Sequence, residues 1–235
     1  MTDQRVLDGS SRRRFGDLTS VTPEVEQMRR PAFIARQSGC PSGLLGRIIG
    51  SIMATETAAA NDAVVAALAL QPTDHVLEIG FGHGRTLDRV GRQLTTGLSA
   101  GIDLSETMVR MAARRCRDLI TAGRVTLHQG DSAQLPFPDG HFNKVYSVHT
   151  LYFWPEPARH LREIHRILRP GGCFVLGFSP RDDENTTAKF PAAIYRFYTG
   201  DEVRTLLEEA EFQDINMIAR SVSSRTIALA VSRRG

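Results

Sequence analysis

From residue 75 onward, short apolar runs alternate with stretches whose apolar residues recur every three or four positions. His75 to Ile79 reads as a buried strand that runs straight into glycines at Gly80, Gly82 and Gly84. A helix is predicted from Arg85 to Leu94, then a second strand from Leu98 to Leu104 with Asp103 near its end. Ser105 can cap a following helix whose apolar stripe is Met108, Met111, Ala112, Cys116 and Leu119, and Gly123 stops it. Arg124 to Gly130 and Lys144 to His149 supply the third and fourth strands. Between Glu156 and Leu168, the residues Leu161, Ile164 and Leu168 share one helical face. Pro170, Gly171 and Gly172 end that helix before a fifth strand from Cys173 to Phe178. Thr199 and Glu202 form a capping box for a last helix through Ala210.

Strands alternating with helices at this spacing predict an α/β fold, a mostly parallel sheet built from right-handed crossovers with helices on both faces. Two apolar runs, at about 214–218 and 226–231, close the chain with no helix between them. The simplest connection is a hairpin, which makes one late strand antiparallel. Upstream, residues 1–20 are polar and are expected to form a loose tail. Residues 21–70 are expected to be an N-terminal helical extension or lid, its best helix running from Asp62 to Leu70 with Val64, Val65 and Leu68 on one face. The main domain is then 71–235.

The bulk properties narrow the class. A chain of 235 residues suits one α/β domain with an extension, and its hydrophobic fraction of 41% is ordinary for a globular protein. Net charge is only +3, and the densest basic cluster, Arg12 to Arg14, falls in the polar tail, where a solvated segment is the expected reading. Cys40, Cys116 and Cys173 are far apart in sequence, so neither a disulfide framework nor a zinc site is expected, and a reducing compartment is. No apolar run approaches the roughly 18 residues of a membrane span and no secretory leader is read at the N-terminus, which makes the cytoplasm the expected address.

The candidate chemistry gathers at strand ends. A glycine turn after a first strand lets backbone approach a nucleotide-like cofactor closely. The dinucleotide fingerprint wants a small residue at the sixth position from Gly80, where Arg85 stands. Glu78 lies just before the turn; beside a pyrophosphate it would repel, whereas beside a phosphate-free cofactor carrying an ammonium and a sulfonium, such as S-adenosylmethionine, it would attract. No phosphate-loop Gly-Lys-Ser/Thr follows. Asp103 can accept hydrogen bonds from ribose hydroxyls, Asp131 from an adenine amino group, and the Ser132 backbone N–H can donate to a ring nitrogen.

Four segments in order, Val76 to Gly84, Gly101 to Ser105, Gly130 to Phe137 and Leu168 to Gly172, resemble the motif set of class I S-adenosylmethionine-dependent methyltransferases. Within that class the chain resembles the bacterial small-molecule branch that includes ubiquinone/menaquinone C-methyltransferases, over about residues 60–232. The resemblance implies a Rossmann-like, doubly wound, seven-stranded sheet in the order 3-2-1-4-5-7-6, with strand 7 antiparallel. It also implies roles at matching positions. Glu78, Gly80 and Gly82 would hold the methionine portion, Asp103 the ribose with Leu104 on the adenine, and Asp131 and Ser132 the adenine edge. The product would be S-adenosylhomocysteine.

The methyl acceptor is expected beyond the carboxyl ends of the strands. There His149 is the candidate general base, and Tyr152 a candidate polar orienting group in the same catalytic role. Phe190, Tyr195, Phe197 and Tyr198, in the loop after the fifth strand, together with the extension around Phe33 to Met53, are expected to wall in an apolar or aromatic small molecule. His83 reads as a spacer in the glycine turn. The fourth strand lacks an Asn-Pro-Pro-Tyr-like segment, which disfavours nucleic-acid bases as acceptors, and no compact set of acids suggests a metal. An RNA or protein acceptor, or a cofactor-binding module without turnover, are the alternatives. The oligomeric state is left open.

Overall fold

A computed structural model describes residues 31–222 and 225–235. The expected Arg12–Arg14 tail lies outside them. Three helices come first: α1 (Ala32–Gly39), α2 (Gly43–Glu56) and α3 (Ala58–Leu68). Then strands and helices alternate as β1 (His75–Ile79), α4 (Arg85–Gln93), β2 (Leu98–Asp103), α5 (Glu106–Arg115), α6 (Arg117–Thr121), β3 (Val125–Gln129) and β4 (Phe142–Val148). A short 3₁₀ turn (Leu151–Phe153) leads into α7 (Pro157–Ile167), β5 (Leu168–Phe178), α8 (Glu184–Thr187), α9 (Gly200–Glu209), β6 (Phe212–Val222) and β7 (Arg225–Arg234).

The seven strands form one sheet in the order β3-β2-β1-β4-β5-β7-β6, in which β7 runs antiparallel to both neighbours and the first five strands pair in parallel. This is the predicted order. Strand β1 is paired along both edges, with β2 and β4, and packed on both faces, and Val76, Leu77 and Ile79 are buried as a continuous apolar strand requires. Helices α3 and α4 bring Val64, Leu68, Val90 and Leu94 against Val76 and Val175 on one face. The other face carries Leu161 and Ile164 of α7 and Val203 and Leu207 of α9, packed with Leu77, Phe142 and Phe174. Close packing has a visible cause at Gly177, where a Cβ would stand 2.6 Å from a methyl of Val64, so α3 rests directly on β5.

Three elements differ from the sequence expectation. The helix after Ser105 breaks at Cys116 into α5 and α6; Cys116 is buried at the joint with Sγ 3.8 Å from the Gly84 carbonyl, and Leu119 beyond it reaches Val125 of the sheet. The fifth strand starts at Leu168, not Cys173, because Leu168 already pairs with Phe142. Pro170, which has no N–H to give, and Gly171, at φ +74°, are then accommodated as an irregularity before Cys173 pairs with Lys144. The last hairpin is longer than its apolar runs, since its ends are polar residues such as Arg220, Ser221, Arg233 and Arg234 that still pair in the ladder. Among the described residues no helix is long and apolar enough to cross a membrane.

Candidate cofactor and acceptor site

The strand order reverses between β1 and β4, and a cavity of about 500 Å³ opens there at the carboxyl ends of the strands. Its floor is the glycine turn. Gly80, Gly82 and Gly84 have φ of +73°, +55° and +79°, a region that side chains with a Cβ enter only at a cost. At Gly80 a Cβ would stand 2.4 Å from Cγ2 of Thr150, while at Gly82 nothing lies within 4 Å, so the backbone there faces open space on the cavity. Asp103 fixes the turn: one carboxylate oxygen accepts from the Gly82 N–H at 2.9 Å and the other from the Ser105 N–H at 2.9 Å. Each oxygen keeps a lone pair for a hydroxyl. Burial pushes the Asp103 carboxyl above its ordinary range, and the two backbone N–H groups pull it back.

Glu78 pairs in register with Tyr146 of β4, and the Tyr146 hydroxyl donates to it at 2.8 Å. Burial pushes the Glu78 carboxyl up to about 8, against the pull of Tyr146; Asp103 raises it further and Arg89 lowers it. This buried acid lines the cavity. Beyond β2, Leu104 is 51% exposed, an apolar side chain at the cavity edge. Beyond β3, Asp131 lines the same cavity with one oxygen accepting from the Ala133 N–H at 2.9 Å, and Ser132 is buried beside it. The seven positions expected to hold a cofactor are thus brought together around one space, from three separate stretches of chain.

His149 also lines the cavity. Its backbone is in the left-handed region at φ +57°, where its N–H donates to the Gly177 carbonyl at 2.8 Å. Its Nδ1 lies 2.9 Å from the Tyr152 hydroxyl, whose oxygen also accepts from the Ser179 N–H. Tyr152 itself is buried and, unlike His149, does not line the cavity, so it stands behind the His149 ring that it contacts. Burial and the neighbouring Arg115 and Arg85 lower His83 to about 4, which leaves it a neutral ring at ordinary pH.

The loop aromatics are not the expected cavity wall. Phe190, Tyr195 and Phe197 pack on one another and on the 3₁₀ turn, with Tyr152–Phe197 and Phe153–Tyr195 ring centroids 4.7 and 4.8 Å apart. Aromatic surface buried against aromatic surface stabilises more than a solvated lid would, and the cluster braces the His149 turn from behind. Of the expected walls, the extension does reach the cavity, through Ser38, Gly39, Pro41, Gly50, Met53, Thr57 and Asn61. It is fastened where the Ser105 hydroxyl, the cap of α5, donates to the Pro41 carbonyl, and where Gly50 lets α2 approach Met108. Sequence reasoning missed the Asp62–Arg89 ion pair that links α3 and α4 at the cavity, and it missed His160. Neither carries a local motif; each depends on helices meeting in space.

The sequence profile described as a methyltransferase domain matches residues 77–176, the glycine turn through β5. The YrhH protein of Bacillus subtilis (strain 168), described as a methyltransferase, is 32% identical over 152 residues, covering 65% of this chain and 76% of its own. The chain belongs to the methyltransferase domain family. The methyltransferase is also similar to the demethylmenaquinone methyltransferase of Symbiobacterium thermophilum, 34% identical over 112 residues that make up 47% of this chain and 45% of that one. A solved S-adenosylmethionine-dependent methyltransferase from Aquifex aeolicus shares the fold at a TM-score of 0.61 and 20% identity, covering 74% of this chain and 89% of its own. The site fits S-adenosylmethionine as a cofactor: a buried acid for an ammonium, a side-chain-free backbone at Gly82, and an exposed leucine for an aromatic base.

Proposed function

We propose that this methyltransferase transfers a methyl group to O, N or C of a small molecule held between the N-terminal helices and the His149 turn. The observation that carries this reading is the position of α1–α3: residues of all three line the same cavity as Glu78 and Asp131, so the space beyond the cofactor positions is roofed by helix. A roofed cavity of about 500 Å³ is within the range of small-molecule sites. The relative named for demethylmenaquinone supports a small acceptor. Met53 and Phe153 give it apolar walls, and Thr57 and Asn61 give it polar partners.

Bound S-adenosylmethionine supplies a methyl group activated by a sulfonium. In our reading Glu78 attracts the ammonium end, Gly80 and Gly82 leave room for the methionine portion, Asp103 takes the ribose hydroxyls, Leu104 covers the adenine face, and Asp131 with the Ser132 N–H meets the adenine edge. His149 removes the acceptor proton through Nε2. For that, Nδ1 must carry its own proton and donate it to the Tyr152 oxygen, which also holds the Ser179 N–H. The described part of 21–70 serves as the lid and 71–235 as the transfer domain.

The test is incubation with methyl-labelled S-adenosylmethionine and a cell extract, followed by size fractionation. Enzyme-dependent label in the low-mass, solvent-extractable fraction is expected. Label in RNA or protein instead would overturn the acceptor class.

A further inference from the structure

His160 stands on the first turns of α7, outside every motif discussed above, yet it lines the cavity and is only 3% exposed. Its Nδ1 lies 2.8 Å from the Ser132 hydroxyl, 28 residues away in sequence. The same nitrogen is 3.7 Å from an Asp131 carboxylate oxygen, too long for a hydrogen bond but close enough to feel its charge. Its ring lies flat on Trp154, with centroids 4.7 Å apart and planes 6° from parallel. Trp154 is itself buried and lines the cavity. Three otherwise independent elements, the turn after β3, the segment after the 3₁₀ turn and α7, therefore meet on one imidazole.

The purine edge is a demanding thing to read. Adenine offers an amino donor next to a ring-nitrogen acceptor. Hypoxanthine offers a carbonyl acceptor next to a ring N–H donor. An acceptor at Asp131 and a donor at the Ser132 N–H match adenine twice and hypoxanthine not at all, but only if the turn holds both at fixed positions. Asp131 is fixed by its bond from Ala133. Ser132 is fixed through its side chain, and its side-chain partner is His160. Burial lowers the imidazole from its ordinary range against the pull of Asp131, which favours the neutral ring that shares a hydrogen bond with Ser132 without adding a cation beside the base.

We propose that His160 is a positioning residue that sets the adenine selectivity of the cofactor site, by clamping Ser132 and backing the Asp131–Ser132 turn against Trp154. The proposal rests on the reading of Asp131 and Ser132 as the adenine edge. It gives this methyltransferase a selectivity device that no local motif announces.

The chain's single tryptophan makes the test direct, since Trp154 emission reports ligand binding without turnover. Dissociation constants for S-adenosylhomocysteine and its inosine analogue are measured on the wild type and on His160→Ala, His160→Asn, Ser132→Ala and Asp131→Ala. The wild type is expected to favour the adenine compound by about 100-fold or more. His160→Ala and Ser132→Ala should each cut that ratio by about tenfold, equivalent to one hydrogen bond. His160→Asn, which can keep the contact to Ser132, should recover most of it. In turnover, His160→Ala should raise KM for S-adenosylmethionine with kcat within about twofold. If Asp131→Ala collapses the ratio while His160→Ala and Ser132→Ala keep it, the clamp is refuted and the adenine-edge reading stands. If Asp131→Ala keeps the ratio too, the reading falls and the proposal falls with it. Should His160→Ala fail to fold, Ser132→Ala and His160→Asn decide the question alone.

Discussion

Glu78 shows how a single side chain can favour binding at the expense of folding. Its carboxyl sits at about 8 in the folded chain against an ordinary 4.5. Between those values the unfolded chain releases the proton while the folded one keeps it, so the stability of the cofactor-free protein falls as pH climbs from about 4.5 to about 8 and then levels off. Glu78→Gln removes that titration and still accepts from Tyr146. Its cofactor-free melting temperature should exceed that of the wild type at pH 9 and lie closer to it at pH 5; parallel melting curves across that range would refute the assignment. His149 carries a separate expectation. A general base contributes about 10²–10⁴-fold, so His149→Ala should lower kcat by roughly 100-fold on a hydroxyl acceptor, and a loss under about tenfold with intact cofactor binding would reject the role. Tyr152→Phe should cost roughly tenfold in kcat, the price of leaving Nδ1 and the Ser179 N–H without their shared oxygen.

The glycine turn shows which part of an element is legible in sequence. Its three glycines marked a turn where backbone approaches a cofactor, and in the fold all three have positive φ. What the sequence did not carry is which neighbour presses on each one, because Thr150 belongs to a different strand's loop. That difference is measurable. Gly82→Ala meets open space and should cost only backbone strain, about 1 kcal/mol. Gly80→Ala carries the same strain and also overlaps the Thr150 methyl, so it should cost more. Thr150→Ser removes that methyl, and in a double-mutant cycle it should return part of the Gly80→Ala loss and none of the Gly82→Ala loss. Equal recoveries would mean that the overlap relaxes freely. The loop of Phe190, Tyr195 and Phe197 makes the converse point. Aromatic content alone does not say whether a loop faces a ligand or its own core, and here the 3₁₀ turn supplied a better partner than the cavity did.

Across the whole molecule, the alternation of strands and helices and the antiparallel closing hairpin were readable from the residues themselves, whereas the strand order came only from the resemblance carried by the four motifs. The N-terminal extension was readable as helix and as an expected wall of the site, but its fastening was not, since those contacts are made through Gly50, Ser105 and Pro41, small or backbone groups without apolar periodicity. The cofactor site joins these scales, and so its occupation should be felt by the entire fold. S-adenosylhomocysteine at about 100 times its dissociation constant should add about 2.7 kcal/mol of stability. At about 2–4 °C per kcal/mol for a chain of this size, that is a rise of roughly 5–10 °C in melting temperature. The rise should depend on pH through Glu78. An ammonium beside it binds the ionised carboxylate, so below about 8 binding must first remove a proton, and each further pH unit should cost up to about tenfold in affinity. At fixed ligand concentration the shift should therefore shrink from pH 8.5 to pH 6 in the wild type. In Glu78→Gln it should be smaller throughout and independent of pH. A wild-type shift that stays constant over that interval would place the ammonium away from Glu78, and with it the methionine end of the cofactor.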